Sequence, residues 1–228
     1  MISICIPTYE MKGMGATFLR ELLESVKKQT YTDYEIIISD HSIDDSIKNV
    51  AEEYSVKYLK NDDNRGNLGA NFNKLIDVAK GSHIKLLLQD DYFYHERSLQ
   101  TEIENLGNNI WGFCGTIHNR DGHFFWHISP EYTENIYIGA NTIGSPSLML
   151  CKSEKCLHFD ENLKMLLDCD YYKLMYENFG LPKCSSEITT VSRIWEGQQQ
   201  RSVSDNDMKF EIDYVKQKYQ NFTPQYGN

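Results

Sequence analysis

The chain has 228 residues, of which 40% are hydrophobic and 12% aromatic, and its formal net charge is −10 at pH 7. This length fits one large domain. The negative charge argues against a nucleic-acid backbone or an anionic membrane as main partner, because binding to either depends on clustered Lys and Arg. No apolar run approaches the roughly 20 residues of a membrane-spanning helix, and the opening MISICIPTYE lacks the basic region of a secretory signal. We therefore expect a soluble, cytoplasmic protein without a membrane span.

Strand and helix patterns alternate through the first half of the chain. Apolar runs typical of strands are ISICIP, YEIIISD, VKYLKN and HIKLLLQ. Helical spacing or helix-terminal residues mark FLRELLESVKKQ, DDSIKNVAEEY and NLGANFNKLIDVAKG. Alternating strands and helices predict an α/β protein with a mostly parallel sheet.

The second half of the chain is less regular. IWGFCGTIH and GHFFWHI are predicted as strands of a mixed sheet, and SEITTVSRIW as a late strand. DCDYYKLMYENFG is predicted as a helix closed by Gly180, and a terminal helix is expected from about Val203 onward. The sequence shows no internal repeat and no clear domain boundary, so we expect one domain.

Polar residues follow three of the predicted strands of the first half. These residues are Pro7-Thr8-Tyr9-Glu10, Ser39-Asp40 and Gln89-Asp90-Asp91. Ligands of open parallel sheets bind outside the carboxyl ends of the strands, so this rim is the expected site. Two adjacent carboxylates repel unless a cation lies between them or a nearby group takes a proton, and a divalent metal suits their oxygen ligands. A solvated turn or a helix N-cap is the alternative for an isolated Asp-Asp pair.

The order and spacing of several segments resemble a known enzyme family. ISICIPTYE, EIIISDHSIDDS, NRGNLGANFNKLIDVAKG and HIKLLLQDD resemble the nucleotide-sugar half of the GT-A fold glycosyltransferases of family 2, and FDENLKMLLDCDYYKLM resembles the acceptor half. The match covers about residues 2–200. It implies a GT-A (Rossmann-like) mixed, mostly parallel central sheet flanked by helices. The single catalytic domain, 1–228, would comprise a nucleotide-sugar half (1–95), an acceptor half (96–202) and a C-terminal helical tail (203–228).

The resemblance also implies roles for residues of the donor half. Asp40 would accept a hydrogen bond from the base ring, Asp90 would hold the ribose, and Asp91 would bind Mn²⁺ or Mg²⁺ on the diphosphate. The residues assigned to nucleotide-sugar binding are Pro7, Thr8, Tyr9, Glu10, Asp40, Arg65, Asn67, Asp90 and Arg193. Helix capping remains the alternative for Asp40, a solvated loop for Glu10, and a plain turn for Asn67.

The resemblance implies an inverting transfer of one sugar from a nucleoside diphosphate sugar, with a UDP-sugar favoured, to an acceptor hydroxyl. Asp168 is the candidate base and is also placed to cap the predicted helix that follows, and Asp170 is the alternate base. The apolar KMLL before Asp168 would raise the pKa of its carboxyl by desolvation, whereas a helix N-terminus would lower it. The loop Gly144-Ser145-Pro146-Ser147 lies where the family has an acceptor-side loop, although the sequence alone shows only a turn.

The sequence departs from the family pattern at several positions. Leu88 stands where the family often has the first Asp of an Asp-x-Asp motif, and Leu167 stands where a Glu is expected before Asp168. In SRIWEGQQQRS, Trp195 replaces the His of an Arg-x-His segment, which leaves Arg193 and Arg201 as candidate phosphate contacts. The processive-synthase signature Gln-x-x-Arg-Trp is absent from the sequence, which favours transfer of a single sugar.

Two other classes of protein fit part of this pattern. A nucleotidyltransferase shares the metal and nucleotide chemistry, but it usually has a Gly-rich loop with a phosphate-binding Lys, of which MKGMG at residues 11–15 is a poor version. A non-catalytic nucleotide-sugar or carbohydrate-binding module is favoured by the two missing carboxylates, at Leu88 and Leu167. Release of nucleoside diphosphate from a nucleotide sugar distinguishes these classes.

Overall fold

The computed structural model describes residues 1–198, 205–220 and 222–226. The strands are β1 (Ile2–Thr8), β2 (Tyr34–Asp40), β3 (Lys57–Lys60), β4 (His83–Leu86), β5 (Tyr92–Phe93), β6 (Trp111–Arg120), β7 (His123–Ile128), β8 (Met149–Lys152) and β9 (Lys183–Arg193). The α-helices are α1 (Gly15–Lys27), α2 (Ser46–Glu53), α3 (Leu68–Val78), α4 (Ser98–Leu106), α5 (Leu167–Phe179) and α6 (Asp205–Gln220). Arg201, one of the candidate phosphate contacts, lies outside the described residues.

The strands of the described residues form one sheet in the order β3-β2-β1-β4-β8-β6-β9-β5, and β7 pairs with β6. The first four strands run parallel to one another. Strand β8 joins β4 in antiparallel orientation and begins a mixed half, in which β6 and β9 run parallel. The predicted mixed α/β sheet flanked by helices is confirmed, and the same sheet runs through both halves of the chain.

The alternating pattern of β1 explains how helices cover both faces of the sheet. Ile2, Ile4 and Ile6 point to one face and pack in a core formed with α1, α2 and α4. Cys5 points to the other face, where α3, α5 and α6 contribute to the second core. Residues two apart on a strand share a face, so both layers of helices can bury apolar surface against one strand.

Two elements were not predicted, and one strand is shorter than predicted. Strand β4 ends at Leu86 rather than Gln89, because the chain turns there and Asp91 N donates to Leu88 O at 3.0 Å. Helix α4 was missed because its buried positions include Ser98 and Glu102, which weaken the apolar spacing. Strand β5 has only two residues, too few to give a pattern.

The predicted terminal helix is confirmed as α6, and it fixes the start of α5. The Glu211 carboxylate on α6 accepts hydrogen bonds of 2.8–2.9 Å from the backbone N–H groups of Lys164, Met165 and Leu166. These donors lie just before and at the N-terminus of α5, where a helix leaves N–H groups without intrahelical partners. Among the described residues, no helix is both long enough and apolar enough to cross a bilayer.

Candidate active site

The carboxyl ends of β1 and β2 bring Thr8 and Asp40 together. The two residues are direct partners in the parallel ladder, and Thr8 Oγ1 donates to Asp40 Oδ1 at 3.2 Å. Asp40 is fully buried and also accepts from Ser42 N at 2.9 Å and from Tyr58 OH at 2.8 Å. Helix capping by Asp40 is wrong, because α2 begins at Ser46 and its N-cap residue is Asp45. Asp40 is therefore a rigidly held carboxylate at the edge of the sheet.

His41, the residue after Asp40, is a buried polar side chain that sequence reasoning missed. Its Nδ1 accepts a hydrogen bond from Gly66 N at 3.2 Å. In the neutral ring the proton is therefore on Nε2. Burial lowers the His41 pKa, which favours the neutral ring. Nε2 is buried and has no hydrogen-bond partner among the described residues. A buried N–H donor without an acceptor costs about 1–3 kcal/mol, so an acceptor atom of a ligand would stabilise this arrangement.

The loop after β1 is fixed by Gln89, the residue before the Asp pair. Gln89 Oε1 accepts from Tyr9 N at 2.9 Å, and Gln89 Nε2 donates to Gly15 O at 2.8 Å. Gly15 is required here, because a Cβ would lie 2.4 Å from Tyr9 O. Pro7 is buried in β1, whereas Tyr9 is exposed and the carbonyl of Glu10 accepts from Gly15 N. The Gln89 amide both accepts and donates, and it thereby ties the loop after β1 to the start of α1.

The Asp pair lies in the turn after β4. Asp90 Oδ2 accepts from Trp195 Nε1 at 3.0 Å, and Asp91 accepts from Arg193 N at 3.1 Å and Ser145 Oγ at 3.3 Å. Burial, together with the charge of Asp90, raises the pKa of Asp91 to about 7. Burial also raises the pKa of Asp90, against the opposing hydrogen bond from Trp195. Two adjacent buried carboxylates favour either a bound cation between them or a proton on one of them.

The Arg193 side chain contacts the Asp pair and its neighbours and does not extend toward solvent. Its Nε donates to Asp90 O at 3.1 Å, and its guanidinium pairs with Glu21 and lies 4.5 Å from the ring centroid of Phe18. These contacts occupy the side chain, so they favour a structural contribution to the site over the phosphate contact expected from the resemblance.

Arg65 and Asn67 lie at the start of α3. Asn67 is the N-cap residue, and its Oδ1 accepts from Ala70 N at 2.9 Å. Arg65 is exposed and forms an ion pair of 2.6 Å with Asp62. The bond from Gly66 to His41 places this loop beside the end of β2. Asn67 thus serves the helix, whereas Arg65 remains on the surface near Asp40.

Asp168 lies in the first turn of α5. Its Oδ2 accepts from Asn141 Nδ2 at 2.9 Å, and its Oδ1 accepts from Cys169 N at 2.8 Å. The N-cap position belongs to Leu166, so the expectation that Asp168 caps the helix is wrong. Burial raises the Asp168 pKa to about 6 despite these two hydrogen bonds. Desolvation therefore outweighs the helix N-terminus, and the carboxylate is a better proton acceptor than an exposed Asp.

One loop connects the Asp pair to Asp168. Asn141 bonds Asp168, and four residues later Ser145 bonds Asp91. Asn141 also accepts from Gly144 N at 2.9 Å, and the Tyr172 hydroxyl donates to Gly144 O at 3.0 Å. The chain between 141 and 145 thus spans the distance between the two candidate sites. The turn around Gly144 was noted in the sequence, but no motif identified Asn141.

The same loop is anchored in the core by a buried ion pair. Lys85 Nζ lies 2.7 Å from Glu102 Oε1, and both side chains are buried. Lys85 also donates to Ser147 O at 2.6 Å, and Ser147 Oγ accepts from Leu88 N at 2.8 Å. Leu88, which replaces the expected Asp, thus lies where its backbone holds the loop.

Asp170, the alternate base, belongs to the contact between α5 and α6. Its fully buried carboxylate accepts from Lys218 Nζ at 2.8 Å and from Tyr219 OH at 2.9 Å. Lys218 also bonds Asp160 at 2.9 Å. Burial raises the pKa of Asp170 against the attraction of Lys218. These contacts favour a structural role for Asp170 and leave Asp168 as the candidate base.

Replacing Lys218 by Met should lower the free energy of unfolding by roughly 2–3 kcal/mol, because Asp170 would remain buried without its cation. This loss is smaller than the roughly 3–5 kcal/mol of fully buried pairs, since the Lys218 side chain is 21% exposed. Chemical denaturation measures the change. Lys216→Met on the exposed side of the same helix is the matched control and should change stability by less than about 0.5 kcal/mol. Equal stability of both variants would contradict a structural role for the Asp170–Lys218 pair.

Comparisons with known proteins bear on the family and the fold of the chain. The family model described as "Glycosyl transferase family 2" matches residues 3–156. An uncharacterized glycosyltransferase, RP339 of Rickettsia prowazekii (strain Madrid E), is 26% identical over 219 residues, which are 87% of this chain and 65% of the relative. The chain therefore spans less than two thirds of that relative.

Two solved structures share the fold. Residues 1–349 of S. aureus TarS, in complex with UDP-GlcNAc, superpose with a TM-score of 0.69 at 17% identity, over 94% of this chain and 64% of that one. The mannosyltransferase PcManGT of Pyrobaculum calidifontis, in complex with GDP-Man and Mn²⁺, gives a TM-score of 0.56 at 16% identity, over 81% and 56%. Because the family model covers most of the chain and the fold agrees, the chain belongs to glycosyltransferase family 2.

Proposed function

We propose that the protein is an inverting glycosyltransferase that moves one sugar from a nucleoside diphosphate sugar, with a UDP-sugar favoured, to an acceptor hydroxyl. The observation that carries this proposal is the loop that joins two carboxylate sites: Ser145 bonds Asp91 and Asn141 bonds Asp168. A donor site and a proton acceptor held by the same loop are suited to a displacement between two bound substrates.

The donor would bind at the carboxyl ends of β1, β2 and β4. Asp40 supplies a fixed acceptor for the base ring, and His41 Nε2 is a buried donor for an acceptor atom of the nucleotide. Thr8 orients Asp40, and Gln89 orients the loop that carries Tyr9. UDP-GlcNAc in TarS and GDP-Man in PcManGT support a nucleotide sugar as the ligand of this fold.

Residues of the Asp pair fit a divalent cation such as Mn²⁺ or Mg²⁺. The described residues contain no group of three or more His, Cys, Asp or Glu that would hold a metal by themselves. Mg²⁺ at phosphate sites usually uses one or two carboxylates plus phosphate oxygens, which fits Asp91 and, beside it, Asp90. Burial and the neighbouring Asp90 charge raise the pKa of Asp91, and a bound cation would favour its ionised form. When bound, the cation would offset the charge that develops on the departing diphosphate.

The chemistry of the chain's own residues centres on Asp168. One carboxylate oxygen would take the proton of the acceptor hydroxyl while that hydroxyl oxygen forms a bond to the anomeric carbon. The bond from the anomeric carbon to the diphosphate oxygen breaks, and the nucleoside diphosphate leaves with the electron pair. Asn141 holds the carboxylate in place, and burial brings its pKa to about 6, close to the working range of a general base.

The two alternatives are a nucleotidyltransferase and a non-catalytic nucleotide-sugar or carbohydrate-binding module. Nucleotidyl transfer would use the same metal and nucleotide contacts, and a non-catalytic binding module would need no base. The raised pKa of Asp168 favours a catalytic site over a binding module, because burial of a carboxylate opposite an acceptor-side loop suits proton transfer.

A panel of nucleotide sugars tests the proposed function. In one reaction the protein is incubated with UDP-, GDP- and dTDP-sugars and Mn²⁺, and release of nucleoside diphosphate is measured. In a second reaction it is incubated with a sugar phosphate, a nucleoside triphosphate and Mn²⁺, and release of pyrophosphate is measured. Release of nucleoside diphosphate with transfer to an acceptor or to water supports a glycosyltransferase. Pyrophosphate from a sugar phosphate and a nucleoside triphosphate would identify a nucleotidyltransferase, and binding without release of either product would identify a binding module.

Replacing Asp40 by Ala should weaken nucleoside diphosphate binding by about 1–3 kcal/mol, the range for a lost hydrogen bond to a charged group. Calorimetry with UDP measures the change. Tyr58→Phe is the matched control: it removes the hydroxyl that donates to Asp40 but keeps the carboxylate, so it should change binding much less. If Asp40→Ala binds UDP like the parent protein and only loses stability, Asp40 serves the fold alone.

A further inference from the structure

The hairpin of β6 and β7 exposes aromatic side chains on the acceptor half of the fold. Phe125 is 38% exposed and Trp126 is 73% exposed, both on β7. Both rings lie beside His118 on β6, with centroid distances of 5.7 Å for Phe125 and 6.1 Å for Trp126. We call Phe125 and Trp126 the aromatic patch. Contiguous exposed apolar groups on a protein surface mark contact sites for other molecules.

Trp126 is exposed at this surface and has a strained backbone conformation. In the β6–β7 ladder Ile117 pairs with His127 and His118 pairs with Phe125, so the register skips Trp126 and forms a bulge. Trp126 has φ +49°, in the left-handed region that disfavours bulky side chains. A bulge re-aims a side chain, and here it directs a large ring to solvent. Neither burial nor backbone preference accounts for a Trp at this position, which points to a role in binding.

Strand pairing connects the aromatic patch to the candidate active site. Phe125 pairs with His118, and His118 pairs with Ser192, the neighbour of Arg193, whose backbone N–H donates to Asp91. The backbone of Phe125 is thus about three strand spacings, roughly 14 Å, from Asp91. An acceptor that extends beyond a single sugar unit is long enough to reach from the reacting centre to the patch.

We propose that the aromatic patch binds the non-reacting part of a saccharide acceptor, with a sugar ring stacked on Trp126. This inference rests on the proposed glycosyl transfer, which requires an acceptor. Sugar rings present apolar C–H faces that pack on aromatic rings, and their hydroxyls need hydrogen-bond partners. His118 supplies such a partner beside the patch, since its ring centroid lies 6.1 Å from that of Trp126. Burial lowers the His118 pKa, so the ring is neutral and can both donate and accept.

The charges near the patch favour a saccharide over an anionic membrane. Arg120 and Asp121 at the hairpin turn offset one another, and the whole chain carries a net charge of −10. Binding to an anionic lipid surface depends on clustered Lys and Arg, and each contributes about 1 kcal/mol. Stacking on aromatic rings needs no such cluster, so it suits the composition of this hairpin.

The test measures acceptor kinetics in the parent protein, in Trp126→Ala and in Phe210→Ala. Phe210 is an exposed aromatic residue on α6, remote in sequence from the hairpin, and it is the matched control. The acceptors are the mono- and tetrasaccharides of glucose, N-acetylglucosamine, mannose and galactose, each with a donor that the parent protein turns over. We expect Trp126→Ala to raise the KM for at least one tetrasaccharide by about fivefold or more, with kcat and the KM for the monosaccharide near parent values. Phe210→Ala should match the parent protein throughout.

The outcomes distinguish the patch from the proposed function. If the parent protein turns over a donor but Trp126→Ala and the parent protein have the same KM for every tetrasaccharide, the proposal for the patch is overturned. It is also overturned if Trp126→Ala instead abolishes sedimentation with phosphatidylglycerol vesicles, or converts a dimer to a monomer in analytical ultracentrifugation. If the parent protein turns over no donor, yet a tetrasaccharide quenches its Trp fluorescence and this binding is lost in Trp126→Ala, the patch stands and the transferase proposal fails.

Discussion

Asp168→Asn should lower the rate of sugar transfer by roughly 100- to 10,000-fold, the usual contribution of a general base. The amide cannot take the proton of the acceptor hydroxyl, but its oxygen can still accept the hydrogen bond from Cys169 N. Affinity for the nucleoside diphosphate should stay at the parent value, because Asp168 contacts the acceptor-side loop. Initial rates of nucleoside diphosphate release and calorimetry with UDP measure the two quantities.

The pH profile gives this prediction a second readout. The transfer rate of the parent protein should rise with pH through about 6 and then level off, because only the ionised carboxylate of Asp168 accepts a proton. The residual rate of Asp168→Asn should lack this inflection. Asp170→Asn is the matched control on the same helix: it should lower stability through its contact with Lys218 but keep the inflection. A near-parent rate in Asp168→Asn would contradict the assignment of the base.

Asp168→Asn should leave the fold intact. Burial raises the Asp168 pKa from 3.8 to about 6, so the native chain binds this proton more tightly than the unfolded chain does. The contribution of this group to stability therefore falls as the pH rises from 3.8 through about 6. At pH 7 the neutral amide of Asp168→Asn avoids that loss, and its melting temperature should lie within a few degrees of the parent value.

Asp91→Asn should remove the dependence of donor binding on a divalent cation and weaken binding of UDP by roughly 100-fold or more. A metal ion offsets the phosphate charges by several kcal/mol, and an amide has no charge with which to hold it. The amide oxygen can still accept from Arg193 N, so the turn should keep its shape. Calorimetry with UDP, in Mn²⁺ and then in a chelator, measures the dependence.

Asp90→Asn is the matched control for Asp91. Its Oδ2 is held by Trp195 Nε1, so Asp90 is less available to a metal than Asp91. This variant should keep the larger part of the cation dependence that Asp91→Asn loses. Unchanged binding of UDP by the parent protein in the presence of the chelator would show that the metal role is wrong.

The meeting of polar residues at one edge of the sheet could be predicted because it follows directly from strand order. β1 and β2 are apolar runs that end in polar residues, and parallel pairing brings those ends to one edge. Thr8 and Asp40 were therefore expected together before any contact was known, and they are ladder partners.

The rest of the site depends on contacts across long stretches of chain, which a local pattern does not contain. Asn141 is one polar residue in an irregular loop, and only its contact with Asp168 shows its role. Trp195 was recognised as a missing His, but its bond to Asp90 bridges 105 residues. The same limit applies to Asp168, which was expected to cap the helix. The N–H groups at the start of that helix instead donate to Glu211, more than 40 residues away.

The hydrogen bonds from α6 to the start of α5 also affect the order in which parts of the fold form during synthesis. Chains emerge from the ribosome N-terminus first, at about 5–20 residues per second. The contact between Thr8 and Asp40 can form while the second half is still being translated. The start of α5, which carries Asp168, receives the Glu211 carboxylate and the Lys218 ammonium only when α6 has been made. A nascent chain can thus form the edge of the sheet around Asp40 well before the start of α5 is held in place.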